Sequence, residues 1–372
     1  MCSKHRFRGL FRNSRTKNCH FFCEDCSAKY QACRFFFFFK LFPFLKQSFA
    51  FFEGLFVKVL LLLKLKNMKK TYHLCLSSEG EVMFRSRTDF IRGINCLCIG
   101  AHNTGAILLA YVFMSNHVHI IVRTEDPEKF MMKFRYAYNK YFNAKYGRTG
   151  RLGEENFFKI ELIGLYHLLT AIAYVLRNPV HHGICATPFG YEFSSIRGMF
   201  RKEFGWQNSG NILPRKSAYR FLPWRSALPE SYQMNSEGMI LPETVIDAQD
   251  IEHQFSTARS FLYYMNRLSG EEWIREQQQD KTDLPAITIE SIEEGVRLHD
   301  INTMLRNEHG RANYTAMTDT MLCHEIDNVL LQGYSVRSVY QLKIEQKENM
   351  VDLIRRKYCI PVSQARRCLA IL

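Results

Sequence analysis

No window of about 20 largely uncharged apolar residues occurs in this 372-residue sequence, and a membrane-spanning helix needs one. The longest apolar stretch, 41–65, is interrupted by Lys46, Glu53, Lys58 and Lys64. An apolar segment near the start, followed by a small-residue cleavage site, is also missing, which argues against a signal peptide. A paired cysteine framework is missing too. Of the 12 cysteines, five fall at Cys2, Cys19, Cys23, Cys26 and Cys33, while Cys75, Cys96, Cys98, Cys185, Cys323, Cys359 and Cys368 are scattered. Such usage reads as reduced thiols in a cytoplasmic protein. Cys23 and Cys26 have zinc-ligand spacing, but Cys19 and Cys33 complete no regular second pair.

Positive charge is what the sequence has most of, with a formal net of +14. Residues 1–67 carry +10 of it, residues 68–205 carry +7, and residues 206–372 carry −3. Residues 1–67 also hold half of the 30 phenylalanines, including the run Phe35–Phe39. They read as a mis-called or disordered Phe/Lys-rich extension, with the natural start at Met68. The charge that bears on a polyanionic partner is therefore the +7 of the middle segment.

From Lys70 the residues alternate in a legible way. Strand-like stretches end near Leu76 and span Ala106–Met114, His117–Arg123 and Phe157–Ile163. Helical stretches span about Thr88–Ala101, Pro127–Tyr146 and Leu165–Arg177, the last stopped by Asn178-Pro179. This order predicts an α+β fold with a mostly antiparallel sheet flanked by helices. On the third strand, period two places His117 and His119 on one face and Val118, Ile120 and Val122 on the other. Two imidazoles so spaced suit a divalent metal, although an isolated His-x-His pair is equally an ordinary polar hairpin start. At 100° per residue, His167, Thr170, Tyr174, Arg177 and Asn178 gather on a polar arc opposite Leu168, Leu169, Ile172, Val175 and Leu176. Tyr174 thus lies off the apolar stripe, with Asn178 one turn later.

Three segments carry a resemblance. Met114-Ser115-Asn116-His117-Val118-His119-Ile120-Ile121-Val122 resembles the His-hydrophobe-His signature of single-tyrosine HUH transposases, of the REP-associated and small insertion-sequence type. Residues 138–150 are similar to the helix and basic turn these proteins carry next. Ala173-Tyr174-Val175-Leu176-Arg177-Asn178-Pro179-Val180-His181-His182-Gly183 is similar to their nucleophile helix and its Asn-Pro-Val stop. The resemblance implies a ferredoxin-like HUH domain over 68–205 and a metal-dependent DNA strand-cleaving enzyme. Tyr174 would be the nucleophile, forming a 5′-phosphotyrosine link, and His117, His119 and Asn178 would hold Mg²⁺ or Mn²⁺. Single-stranded or hairpin DNA is the implied substrate, in a bacterial cytoplasm, with no small-molecule cofactor, no membrane, and a monomeric or homodimeric protein. One departure from the family pattern is Glu154-Glu155, two carboxylates where a phosphate track is expected.

Lys129, Lys133, Arg135, Lys140, Lys145, Arg148, Arg151, Lys159 and Arg177 are the candidate DNA contacts. Tyr136, Tyr138 and Tyr141 are interleaved among them as stacking platforms. A solvated basic helix with aromatic core residues gives the same pattern. Residues 206–245, with Pro214, Pro223, Pro229 and Pro242, read as a linker, and 246–372 as a helical domain. Its last stretch, 347–372, has the outline of a helix-turn-helix, with Ser363, Gln364, Arg366 and Arg367 placed to meet a groove, and equally that of a small helical packing domain. Two other readings stay open: a decayed or domesticated transposase that binds DNA hairpins without cutting, and a metal-dependent phosphoesterase, which would show more His and Asp ligands.

Overall fold

Strand β1 (Lys70–Ser77) and strand β3 (His117–Thr124) pair antiparallel, with Leu74 opposite Ile120 and Leu76 opposite Val118. These four side chains and Val122 are buried, so one face of the sheet is a continuous aliphatic surface. Strand β2 (Ile107–Phe113) joins β3 through the two-residue turn Ser115-Asn116, closed by Met114 N–H donating to the His117 carbonyl at 2.8 Å. Strand β4 (Phe158–Glu161) pairs with the other edge of β1. The order is β2-β3-β1-β4, antiparallel throughout. This computed structural model describes residues 69–371 apart from 79, 186, 207–209 and 267–316; the extension 1–67 and its cysteines lie outside the described residues.

Two helices cover the aliphatic face. Helix α1 (Arg87–Thr104) begins at Ser86, whose N–H donates to the Asp89 carboxylate at 2.9 Å, and ends on left-handed Gly105. Helix α2 (Pro127–Tyr146) is capped by the Asp126 carboxylate, which accepts from Lys129 N–H. Phe84, Phe90, Phe113, Phe130, Phe134 and Phe142 fill the space between helices and sheet. The packing is close at Gly93, where a Cβ would stand 2.6 Å from the Phe84 ring and 2.9 Å from the Phe113 ring. The β-α-β-β-α-β order and the strand order give an α+β fold of ferredoxin-like type; the sequence pattern predicts the α+β class and its antiparallel sheet, and the resemblance implies the ferredoxin-like type.

Helix α3 (Leu165–His181) lies across β2 and β3 on the opposite face and is backed by α4 (Ala248–Phe255) and α5 (Ala258–Asn266). It does not stop at Asn178. Pro179 sits inside its last turn, and the helix closes beyond it through His182 N–H to the Asn178 carbonyl at 3.0 Å. A proline this near the C-terminus removes a single hydrogen bond, which the burial of Asn178 and Pro179 offsets.

Two readings of the C-terminal half are corrected. The described part of 206–245 is no linker: Ala218, Leu222, Met234 and Ile240 are buried in the main core, and Asn95 on α1 bonds to Phe221, Gly238 and Ile240 backbone groups. Residues 248–266 belong to that same core, and among the described residues a second cluster, which takes in Val82, is built from α6 (Asp319–Asn328) onward. It continues through α7 (Ile344–Tyr358) and α8 (Val362–Cys368). Helices α7 and α8 do not present a recognition surface as a helix-turn-helix would. Gln364 and Arg367 are buried, Gln364 donates to the Met317 carbonyl, and Arg366 pairs with Glu348. Burial of the second helix against α6 uses the face that would have met a groove.

This second cluster is tied to the sheet domain by buried polar contacts. The Arg85 side chain, wholly buried, donates to both Asp327 oxygens (3.1 and 2.7 Å) and to the Cys368 carbonyl (2.6 Å). Ser115 Oγ, in the β2–β3 turn, donates to Asp319 (2.8 Å), which also accepts from Arg367 Nε and Nη2 at 3.0 and 2.9 Å. Among the described residues no helix is long and apolar enough to cross a membrane.

Candidate metal and tyrosine site

The sheet face under α3 is lined by the other half of each strand's side chains. Pairing sets Cys75 opposite His119 and Ser77 opposite His117, and on the other side His73 opposite Ile160 and Cys75 opposite Phe158. His73, His117 and His119 therefore point to one face, toward α3. All three are fully buried, with Asn178, and Tyr174 is 7% exposed. The polar arc of α3 thus faces the histidines rather than solvent. His119 and Tyr174 have ring centroids 5.3 Å apart and edge-on, His117 and His119 5.0 Å, and His73 and Tyr174 6.1 Å. Tyr174, His117, His119 and Asn178 are brought together in one cluster.

Three further residues belong to it. His73 Nε2 lies 3.0 Å from His119 Nδ1, with the rings stacked. His182, just past the end of α3, is buried with its ring 5.5 Å from that of His117. Asn116 Oδ1 lies 2.9 Å from His117 Nδ1. Asn116 adjoins the His-x-His signature and is legible there; His73 is not, because only the β1–β3 register places it beside His119.

Burial sets the charge state. It lowers the His73 pKa to about 3 and that of His117 to about 4, the latter despite the Asn178 contact that opposes the shift. His119 is pushed well down by burial first, then by His117, His73 and His182. Neutral imidazoles are the form that ligates metal.

The hydrogen bonds define which nitrogens are free to do so. Asn116 directs its amide nitrogen at the Ser78 carbonyl (3.4 Å) and its oxygen at His117, so His117 Nδ1 carries the proton and Nε2 the lone pair. That Nε2 stands 3.0 Å from Asn178 Oδ1, another acceptor. Turning the Asn178 amide over would again leave Nε2 as the acceptor. With the Asn178 oxygen turned toward His117, the two atoms offer lone pairs that one cation could take up in a dry site. Bonds of about 2.1 Å around an octahedral ion put neighbouring ligand atoms roughly 3.0 Å apart. His119 Nε2 and Asn178 Nδ2 are buried without a hydrogen-bond partner among the described residues. Two imidazoles and one amide oxygen fit a small divalent cation. Among the described residues no group of three or more His, Cys, Asp and Glu side chains forms a metal site.

The basic residues separate into two kinds. Arg148 pairs with Glu81, itself bonded to Tyr340, as an internal strut, while the exposed Lys145 pairs with buried Asp89. Arg148 is accordingly removed from the candidate DNA contacts, its guanidinium being turned inward. Arg135 donates to the Glu154 and Glu155 carbonyls, Arg151 pairs with Glu155, and Lys159 pairs with Glu128. Lys129 and Lys133 are exposed on α2, Lys140 lies over the Trp224 ring, and Arg177 is half-buried. Tyr138 and Tyr141 are not stacking platforms: Tyr138 is core and donates to the Met83 carbonyl, and Tyr141 donates to Asp89. Tyr136 is 70% exposed. It borders a cleft of about 490 Å³ lined also by Met132, Arg135, Asn139, Phe157 and Lys159.

No protein-family model matches the chain, and no curated protein matches it. Among solved structures the chain is similar to a REP-associated tyrosine transposase bound to a REP hairpin, at 13% identity and a TM-score of 0.33, covering 40% of this chain and 91% of that one.

Proposed function

We propose that the protein is a metal-dependent, single-tyrosine DNA strand-cleaving and rejoining enzyme of the transposase type. The observation that carries this reading is the convergence of Tyr174 and Asn178 from α3 with His117 and His119 from β3 in one buried cluster. The resemblance of residues 114–122, 138–150 and 173–183 to the motifs of that family supports it independently. Tyr174 Oη attacks a DNA phosphorus, and the bond from phosphorus to the 3′ oxygen breaks. The strand 5′ phosphate stays on the tyrosine, and the departing 3′ oxygen takes up a proton. Attack by that 3′-hydroxyl on the phosphotyrosine reverses the step, so the phosphodiester bond energy is conserved and no nucleotide triphosphate is required. His117 Nε2, His119 Nε2 and Asn178 Oδ1 would hold Mg²⁺ or Mn²⁺, which when bound polarises the scissile phosphate. The substrate is single-stranded or hairpin DNA. Because Tyr174 is 7% exposed, DNA gains access only after side chains over it shift.

The test is incubation of the full chain with a labelled hairpin oligonucleotide and Mn²⁺, followed by denaturing electrophoresis for a covalent protein–DNA species. Wild type should form it and Tyr174→Phe should not, with hairpin binding retained. Full linkage by the variant would refute the nucleophile. Hairpin binding by wild type with no linkage would favour the second reading, a DNA-structure binder without cleavage; the burial of Tyr174 and the pairing of Arg151 and Lys159 with carboxylates speak for it.

A further inference from the structure

His73 lies outside the His-x-His, Asn and Tyr set, yet it is buried in the same cluster. Its Nε2 lies 3.0 Å from His119 Nδ1, and the rings stack 5.1 Å apart with 27° between planes. Phe158 and Tyr174 meet its ring edge-on at 5.6 and 6.1 Å, so its orientation is fixed from three sides. His73 Nδ1 and His119 Nε2 are both buried and have no hydrogen-bond partner among the described residues.

One proton is shared between the two facing nitrogens, and the choice of owner decides what His119 can do. If His73 keeps it, His119 accepts at Nδ1 and must carry its own proton on Nε2, which is then useless as a ligand. If His119 Nδ1 keeps it, Nε2, buried and without a hydrogen-bond partner among the described residues, is left with a lone pair free to ligate. The neighbouring ligand already has the second arrangement: Asn116 Oδ1 holds the proton of His117 on Nδ1. Ligating histidines in general donate their second nitrogen to an acceptor that sets tautomer and ring angle.

We propose that His73 is the positioning residue for His119, its Nε2 accepting the His119 Nδ1 proton so that Nε2 of His119 is committed to the divalent cation. The proposal rests on the metal reading above and adds a residue outside the His-x-His, Asn and Tyr set. An imidazole acceptor in place of a carboxylate leaves the outer layer uncharged, as does Asn116.

The experiment uses the full chain without DNA. Mn²⁺ is titrated and the free-ion signal followed by electron paramagnetic resonance for wild type, His119→Ala, His73→Phe and His73→Gln. Phenylalanine keeps the packing against Phe158 and removes the acceptor; glutamine restores an oxygen acceptor within reach of Nδ1. We expect His73→Phe to weaken Mn²⁺ binding by about 10- to 100-fold, and His73→Gln to recover most of that loss. In the Mg²⁺-loaded wild type, long-range ¹H–¹⁵N spectra should show the His119 proton on Nδ1. Unchanged affinity in His73→Phe, equal weakening in both His73 variants, or a proton on His119 Nε2 would each overturn the proposal. The failure of the metal reading looks different: wild type and His119→Ala would then bind Mn²⁺ equally poorly.

Discussion

The contact most exposed to a quantitative check is the one that fastens the C-terminal helices to the β2–β3 turn. Asp319 and Arg367 form a two-bond ion pair at 2.9 and 3.0 Å, with both side chains only 4% exposed. Burial works against the Arg367 charge, and the Asp319 charge and hydrogen bonds more than offset it, so the guanidinium pKa is raised. Asp319→Asn keeps the shape and removes the charge, leaving the buried Arg367 cation without its carboxylate. Removing one partner of a buried pair costs about 3–5 kcal/mol, because the remaining charge stays out of water. Ser115 Oγ also loses a charged acceptor, and bonds of that kind contribute about 1.5–3 kcal/mol, not wholly additive with the first term.

The expected loss for Asp319→Asn is therefore about 3–5 kcal/mol in urea unfolding followed by far-ultraviolet circular dichroism. The companion variant is the double substitution Asp319→Asn with Arg367→Met. With no stranded cation, it should be more stable than the single variant by about 2 kcal/mol or more, since well-packed apolar replacements of buried pairs are near neutral. Urea midpoints should order as wild type, double variant, single variant. A single variant within about 1 kcal/mol of wild type, or a double variant no better than the single, would refute the account of this pair.

Other expectations concern the core, the metal and the nucleic-acid surface. Gly93→Ala places a methyl group within 3 Å of two packed phenylalanine rings and should destabilise the fold by about 1–3 kcal/mol, seen as a lowered urea midpoint. Asn178→Ala removes the amide oxygen next to His117 Nε2 and should weaken Mn²⁺ binding without lowering DNA-hairpin affinity in metal-free buffer. Tyr136→Ala should weaken binding of a single-stranded oligonucleotide by about 1–3 kcal/mol in fluorescence anisotropy if a base stacks on this exposed ring. Lys129→Ala with Lys133→Ala should flatten the salt dependence of that binding, whereas Arg148→Ala should instead lower stability, its partner Glu81 being buried.

The sheet domain was legible because its signals are local. Ser115-Asn116 between two apolar runs, Asp126-Pro127 before a helix and Gly147 after it name their turns and caps, and the observed elements follow within a few residues. His117 and His119 could be assigned to one face because period two is a property of a single strand. What failed was non-local. Leu222, Met234 and Ile240 are spaced without period among prolines, so nothing in 206–245 marks them as core; they are buried because α1 offers a surface and Asn95 anchors the loop backbone. The basic residues near the C-terminus suggested a DNA-reading helix, but Arg367 is matched by Asp319, 48 residues earlier.

The same distinction explains why the candidate site was read as four residues and is larger. Tyr174 and Asn178 share a helix and the two histidines share a strand, so each pair is visible in sequence. The join between β1 and β3 is not, and it is this join that sets His73 on His119. Asn116 reaches Nδ1 of His117 from the turn that precedes β3, whereas the residue that meets Nδ1 of His119 comes from the neighbouring strand. His73, two residues before Cys75 and hence one pleat beyond the partner of His119, is at the place in β1 from which an imidazole reaches Nδ1 along the sheet rather than across it. Any sequence that keeps His-x-His on β3 and this register should therefore require an acceptor at the position of His73, and an apolar residue there should weaken the metal even with every direct ligand intact.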